Sequence, residues 1–192
     1  MSDKIKLVII TAQGFQDHDI IYTYYRSTEQ NYDVSVATQN GEKVVGKYGI
    51  SVPMDKRSKP NITFNDLNVA DFDLVILTGG HEAPDRVRQD SRVKNFVKAM
   101  ASEGKVVAGL CHGPWIMISS DIMRGKLACA YVGLKDDMVN AGANVIEGDV
   151  VVDKNIITCS YYAEVGKFMR ETFLAVERWK RGEVLDEPLV IK

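Results

Sequence analysis

The chain has 192 residues, a formal net charge of −2 and a 45% hydrophobic composition, which suits one domain with a sizeable core. No global basic field calls for nucleic acid, and no apolar run is long enough for a membrane span. The first residues lead straight into a strand-like run without a signal-peptide pattern, so a cytoplasmic location is expected.

Lys6–Ile10 opens the pattern as a short, β-branched apolar run. Asp17 to Gln30 can carry the first helix, with Tyr22, Tyr24 and Tyr25 serving helix packing or a subunit contact. Val34–Ala37 is a second strand, and Glu42 to Val52 reads as an inserted hairpin. Phe72–Leu77 and Val106–Leu110 are further apolar runs of the kind buried on both faces of a parallel sheet. Ser91 to Glu103 reads as a helix with Ser91 as N-cap, Val93, Phe96, Val97 and Met100 on one face, and Gly104 as the glycine that ends it. Pro114 to Ser120 starts a helix with proline in its first turn. Val150–Val152 and Ile156–Thr158 flank a turn as a second hairpin, and Val165 to Arg181 is the final helix. Strand and helix alternate as in a doubly wound α/β sandwich. One domain over residues 1–181 is expected, followed by a polar, loose tail, Gly182 to Lys192.

Three cysteines, without close pairing, do not make a disulfide framework and fit a reducing compartment. His18, His81 and His112 show no metal-binding spacing, so neither metal nor cofactor is expected. Cys111 stands apart. It ends a strand, and His112-Gly113-Pro114 leads from it into a helix, the arrangement of a nucleophile elbow. A helix N-terminus behind the sulfur favours thiolate, so Cys111 is expected to have the lowest pKa of the three thiols and unusual backbone dihedrals. The N–H of His112 is available to a developing oxyanion. A second strand end, Leu77-Thr78-Gly79-Gly80-His81, can bring the Gly80 N–H to the same point. His112 is the candidate partner base, provided the elbow turns it toward the sulfur. His81 belongs either to solvent or to the site mouth, and Tyr131 either to the pocket lining or to the core.

These pieces together resemble the PfpI-like (ThiJ/PfpI) family of the class I glutamine amidotransferase-like superfamily. The resemblance runs from Ile9-Ile10-Thr11-Ala12 through Gly46-Lys47-Tyr48-Gly49, Leu77-Thr78-Gly79-Gly80, Ala83-Pro84-Asp85-Arg86-Val87-Arg88, Cys111-His112-Gly113-Pro114 and Lys135 to Gly142, to Val150-Val151-Val152-Asp153. It implies a flavodoxin-like three-layer α/β/α sandwich with a mostly parallel sheet, and a homo-oligomer, dimer or higher. It also implies an acid near the first strand that touches the cysteine, and a loop acid, here Asp85, that reaches the histidine of a neighbouring subunit. The first of these positions reads Gln16, a neutral amide that can hydrogen-bond sulfur but cannot shuttle a proton; Asp17 or Asp19 can stand in for it only by pointing the right way.

Three functions follow. One is a cysteine-dependent enzyme on small reactive carbonyls, a glutathione-independent glyoxalase or deglycase of the stress response. The second is a cysteine peptidase or amide hydrolase. The third is a non-catalytic, redox-sensing stress protein whose Cys111 is oxidised. A glutamine amidotransferase is excluded, because its triad needs a histidine downstream of the cysteine and none follows His112.

Overall fold

The computed structural model describes residues 4–183 and 185–192. Its first half comprises β1 (Lys6–Ile10), α1 (Asp17–Glu29), β2 (Asp33–Thr38), β3 (Val44–Val45), β4 (Ser51–Val52), β5 (Ile62–Thr63), β6 (Leu74–Leu77), α2 (Glu82–Val87) and α3 (Ser91–Ser102). Its second half comprises β7 (Val106–Leu110), α4 (Pro114–Ser119), β8 (Leu127–Ala128), α5 (Lys135–Asn140), β9 (Asn144–Val145), β10 (Val150–Asp153), β11 (Ile156–Cys159), α6 (Val165–Lys180) and β12 (Leu189–Ile191).

Eight strands form one sheet in the order β12-β10-β11-β7-β6-β1-β2-β5. All neighbours are parallel except where β10 meets β11 and β12. Helices α1 and α6 pack on each other against one face, and α3 and α4 pack together with α2 and α5 against the other. Residues of β1 from Leu7 onward, and all of β6 and β7, are buried, which is why these strands read as continuous rather than alternating apolar runs. Both predicted hairpins form, β3 with β4 and β10 with β11.

Two expectations need correction. Asp90, not Ser91, caps α3: its carboxylate accepts the Arg92 N–H at 2.9 Å. The tail is not loose throughout, because Leu189–Ile191 pairs along β10. Without it β10 would be a bare sheet edge, and this short β-branched strand covers it.

From β1 the chain winds outward to β2 on one side and to β6 and β7 on the other. Strand order therefore reverses between β1 and β6, and the crevice at the carboxyl ends of the strands there is where open α/β sheets bind ligands. The loops after β1, β6 and β7 meet at this point.

Candidate active site

Cys111 follows β7 with φ of 57°, left-handed backbone that a residue with a side chain rarely adopts. Its N–H still extends the sheet, donating to Cys159 O at 3.0 Å. The chain then reverses tightly, with Gly113 N–H donating to Leu110 O at 2.8 Å. A Cβ at Gly113 would lie 2.2 Å from the Leu77 carbonyl oxygen, so only glycine lets the turn close against β6. The elbow expected at Cys111 is present, and it rotates the two adjacent side chains together: Cys111 Sγ lies 3.3 Å from His112 Nδ1.

The backbone N–H groups of His112 and Gly80 lie near the Cys111 sulfur and favour its thiolate. Burial outweighs them, and with the Asp19 carboxylate it pushes the Cys111 thiol up to about 12. The expected low pKa of the resting thiol is therefore corrected: six residues of α4 do not offset the desolvation of a nearly enclosed sulfur. Burial raises the other two thiols as well, Cys129 to about 11. What distinguishes Cys111 is access and partners. It is 6% exposed, against 1% for Cys129 and 0% for Cys159.

The acid at this thiol is Asp19. It is 1% exposed, and its Oδ2 accepts the Gly79 N–H at 2.7 Å. A Cβ built on Gly79 would sit 2.8 Å from both Asp19 Oδ2 and Cys111 Cβ, so the bare Gly79 α-carbon is all that fits between carboxyl and cysteine. Burial, opposed by the Gly79 bond and aided by Asp17, raises the Asp19 pKa to about 8. Asp19 is thus protonated at neutral pH, and its repulsion of a Cys111 thiolate is absent there. Its Oδ1 has no hydrogen-bond partner among the described residues.

His112 is half-buried. Burial, then the positive charges of His81 and Lys47, lower its pKa to about 4, so it is a neutral acceptor at physiological pH. Its ring is edge-on to Trp115, with centroids 5.0 Å apart, and tilted on Tyr131 at 4.7 Å. The aromatic wall continues through Tyr161, Tyr162 and His18.

The other expected site residues divide. Tyr131 lines the site through His112, and His81 is exposed. Gln16 is buried, but its amide meets His18 Nδ1 at 3.2 Å, so the sequence-based contact to the sulfur is replaced by one to the rim. Asp17 accepts the N–H groups of Tyr48 and Ile50 at 2.9 and 2.8 Å and holds the inserted hairpin. Asp85 lies exposed on α2, where Gln89 Nε2 donates to its carbonyl oxygen at 2.9 Å; within one chain it has no hydrogen bond to His112. Sequence reasoning gave no role to Lys47, although it lies in one of the motifs that carried the resemblance. Among the described residues no cluster of side chains could hold a metal ion, and no helix is long and apolar enough to cross a membrane.

The DJ-1/PfpI family pattern matches residues 5–174. This chain belongs to the DJ-1/PfpI family. It is 39% identical over 167 residues to the Pyrococcus horikoshii protein named deglycase PH1704, covering 87% of this chain and 96% of that one. It is 30% identical over 176 residues to general stress protein 18 of Bacillus subtilis, with 90% and 98% covered. The crystal structure of Drosophila melanogaster DJ-1beta superposes with a TM-score of 0.79 at 22% identity, covering 94% of this chain and 97% of that one, a likeness of fold.

Proposed function

We propose that this protein is a cysteine-dependent enzyme acting on small reactive carbonyl compounds, with glyoxalase- or deglycase-like chemistry in the stress response. One observation carries the reading: a strained cysteine lies 3.3 Å from the His112 ring nitrogen and across the bare Gly79 α-carbon from the buried Asp19 carboxyl. At neutral pH the site therefore holds one proton acceptor, His112, and one proton donor, Asp19, on either side of the nucleophile. The names of the Pyrococcus and Bacillus relatives support the substrate class and the stress role.

With an α-oxoaldehyde such as methylglyoxal, the Cys111 sulfur attacks the aldehyde carbon while His112 takes the thiol proton. The N–H groups of Gly80 and His112 stabilise the oxygen that becomes negative. Protonation of that oxygen gives a hemithioacetal. A base then removes the proton from the former aldehyde carbon, Asp19 supplies a proton to the ketone oxygen, and protonation of the neighbouring carbon with loss of the hydroxyl proton on the sulfur-bearing carbon yields a thioester. Water hydrolyses the thioester to lactate and restores the thiol.

We also infer a homo-oligomer in which Asp85 of one copy approaches His112 of another, and a cytoplasmic location. The test of the function is lactate formation from methylglyoxal without glutathione. The native protein should turn over and Cys111→Ala should be inactive; equal rates in the two would refute the reading.

A further inference from the structure

The hairpin of β3 and β4 is bolted to the site rather than hanging free. Its turn is closed by Gly46 N–H to Ile50 O at 2.8 Å. The Asp17 carboxylate takes the Tyr48 and Ile50 N–H groups at 2.9 and 2.8 Å, and Lys47 N–H donates to Phe15 O at 2.9 Å. Residues 14–16 are pressed in turn on the oxyanion loop, where Gln16 N–H donates to Gly79 O at 3.2 Å. The backbone of Lys47 is thus one hydrogen bond from the segment that packs on Gly79 and Gly80.

The Lys47 side chain is exposed and forms no ion pair among the described residues. The acid beside it, Asp17, is engaged by backbone N–H groups. The Lys47 charge nevertheless reaches both Cys111 and His112. A cation on a hairpin held against the segment that packs on Gly79 and Gly80, with no ion-pair partner among the described residues, is what an anionic substrate group requires.

We propose that Lys47 determines specificity by binding a carboxylate on the substrate, so that the preferred substrates are α-oxoaldehydes carrying a carboxylate rather than neutral ones. γ,δ-Dioxovalerate is the probe: its aldehyde can reach Cys111 while its carboxylate meets Lys47, and the isomerisation with water gives α-hydroxyglutarate. This substrate class rests on the carbonyl chemistry proposed above; the anion subsite does not.

Two arms separate them. In the first, the full-length protein is alkylated with iodoacetate or with neutral iodoacetamide, and modification of Cys111 is followed by peptide mass spectrometry. In each case a bond forms between sulfur and carbon, iodide leaves and the thiol proton goes to solvent, so the ratio of the two rates isolates the charge of the reagent. Lys47→Met should lower the iodoacetate-to-iodoacetamide ratio by about three- to ten-fold at low salt, and Lys47→Glu further. Lys47→Arg should stay within about two-fold of native, and salt should bring the native ratio toward that of Lys47→Met. A ratio unmoved in both Lys47→Met and Lys47→Glu overturns the anion subsite, whatever the enzyme does. In the second arm, Lys47→Met should lower kcat/KM for γ,δ-dioxovalerate about ten-fold more than that for methylglyoxal, with the excess loss appearing in KM; equal losses on the two compounds overturn the carboxylate-binding role. A native preference for methylglyoxal overturns the substrate class. A ratio that falls as expected in a protein that turns over neither compound overturns the carbonyl chemistry and leaves the anion subsite standing.

Discussion

Asp19→Asn should make the protein more stable and less active, and the stability gain should depend on pH in a defined direction. The unfolded Asp19 carboxyl titrates at 3.8 and the folded one at about 8. A carboxyl whose folded pKa is raised binds its proton more tightly in the native state. Its contribution is therefore fully favourable below the unfolded value and is lost as pH rises from about 4 toward 8. At pH 7 the gap is roughly three pKa units, or about 4 kcal/mol at 1.36 kcal/mol per unit. Asparagine keeps the shape and can still accept the Gly79 N–H, but it has no proton to lose. Urea unfolding at pH 4.5 and pH 7.5 should give stabilities that nearly coincide at the lower pH and differ by several kcal/mol, with the variant ahead, at the higher. Lactate formation by the same variant should fall by about 10²–10⁴-fold, the usual size of a lost acid–base group. A stability difference that stays constant between the two pH values would refute the assignment of a raised pKa to Asp19. Full activity would remove it from the reaction.

Iodoacetamide labelling of Cys111 should climb steadily with pH through the alkaline range, because its thiol is held up to about 12; a plateau below pH 7 in the rate profile would contradict this. Cys111 should still label before Cys129 and Cys159, which are less exposed. Gln16→Glu should not raise glyoxalase activity, since the Gln16 amide meets His18 and Asp19 already supplies the carboxyl. A ten-fold gain would return the role to position 16. Light scattering should show more than a monomer, and Asp85→Ala should lower kcat while leaving single-chain stability within about 0.5 kcal/mol, as expected for an exposed side chain; unchanged kcat would remove Asp85 from the site.

The parts of this molecule legible in its sequence were those governed by local rules. Strands buried on both faces announced themselves as apolar runs, and Gly79, Gly80 and Gly113 marked places where backbone must approach backbone. The elbow at Cys111 followed from a strand meeting His-Gly-Pro, while its contact with His112 depended on how the turn rotates the two side chains. The capping residue of α3 was off by one, because Asp90 and Ser91 are both good caps and only the backbone geometry decides between them. The tail was misread because β12 exists to cover an edge formed about 40 residues earlier in the chain, a non-local need that its own composition does not express. Among the site residues, the first-loop acid was the hardest to place. Gln16, Asp17 and Asp19 lie at the start of one helix, where each step along the chain turns the side chain by about 100°. They consequently serve three destinations: the His18 rim, the inserted hairpin and the thiol. Which residue goes where is set by how the start of α1 is rotated against the Gly79 turn after β6, a tertiary fact.

That fan of three side chains also gives Gln16 a physical rationale. A carboxylate at position 16 would add a third buried acid to Asp17 and Asp19 at the start of α1, and like charges in one low-dielectric site cannot all ionise cheaply. One would hold its proton more tightly still, and the coupled acids would titrate over a wider range. With an amide there, Asp19 titrates near neutrality, raised chiefly by desolvation, tempered by the Gly79 N–H and raised further by Asp17. Gln16 instead spends its amide on His18, whose ring stacks on Tyr162 with centroids 4.9 Å apart and meets Tyr48 edge-on at 6.0 Å. Tyr48 belongs to the turn that Asp17 clamps and from which Lys47 extends. The neutral residue at position 16 therefore does two things at once: it adds no further carboxyl to those of Asp17 and Asp19, and it ties the rim of the site to the hairpin that carries Lys47.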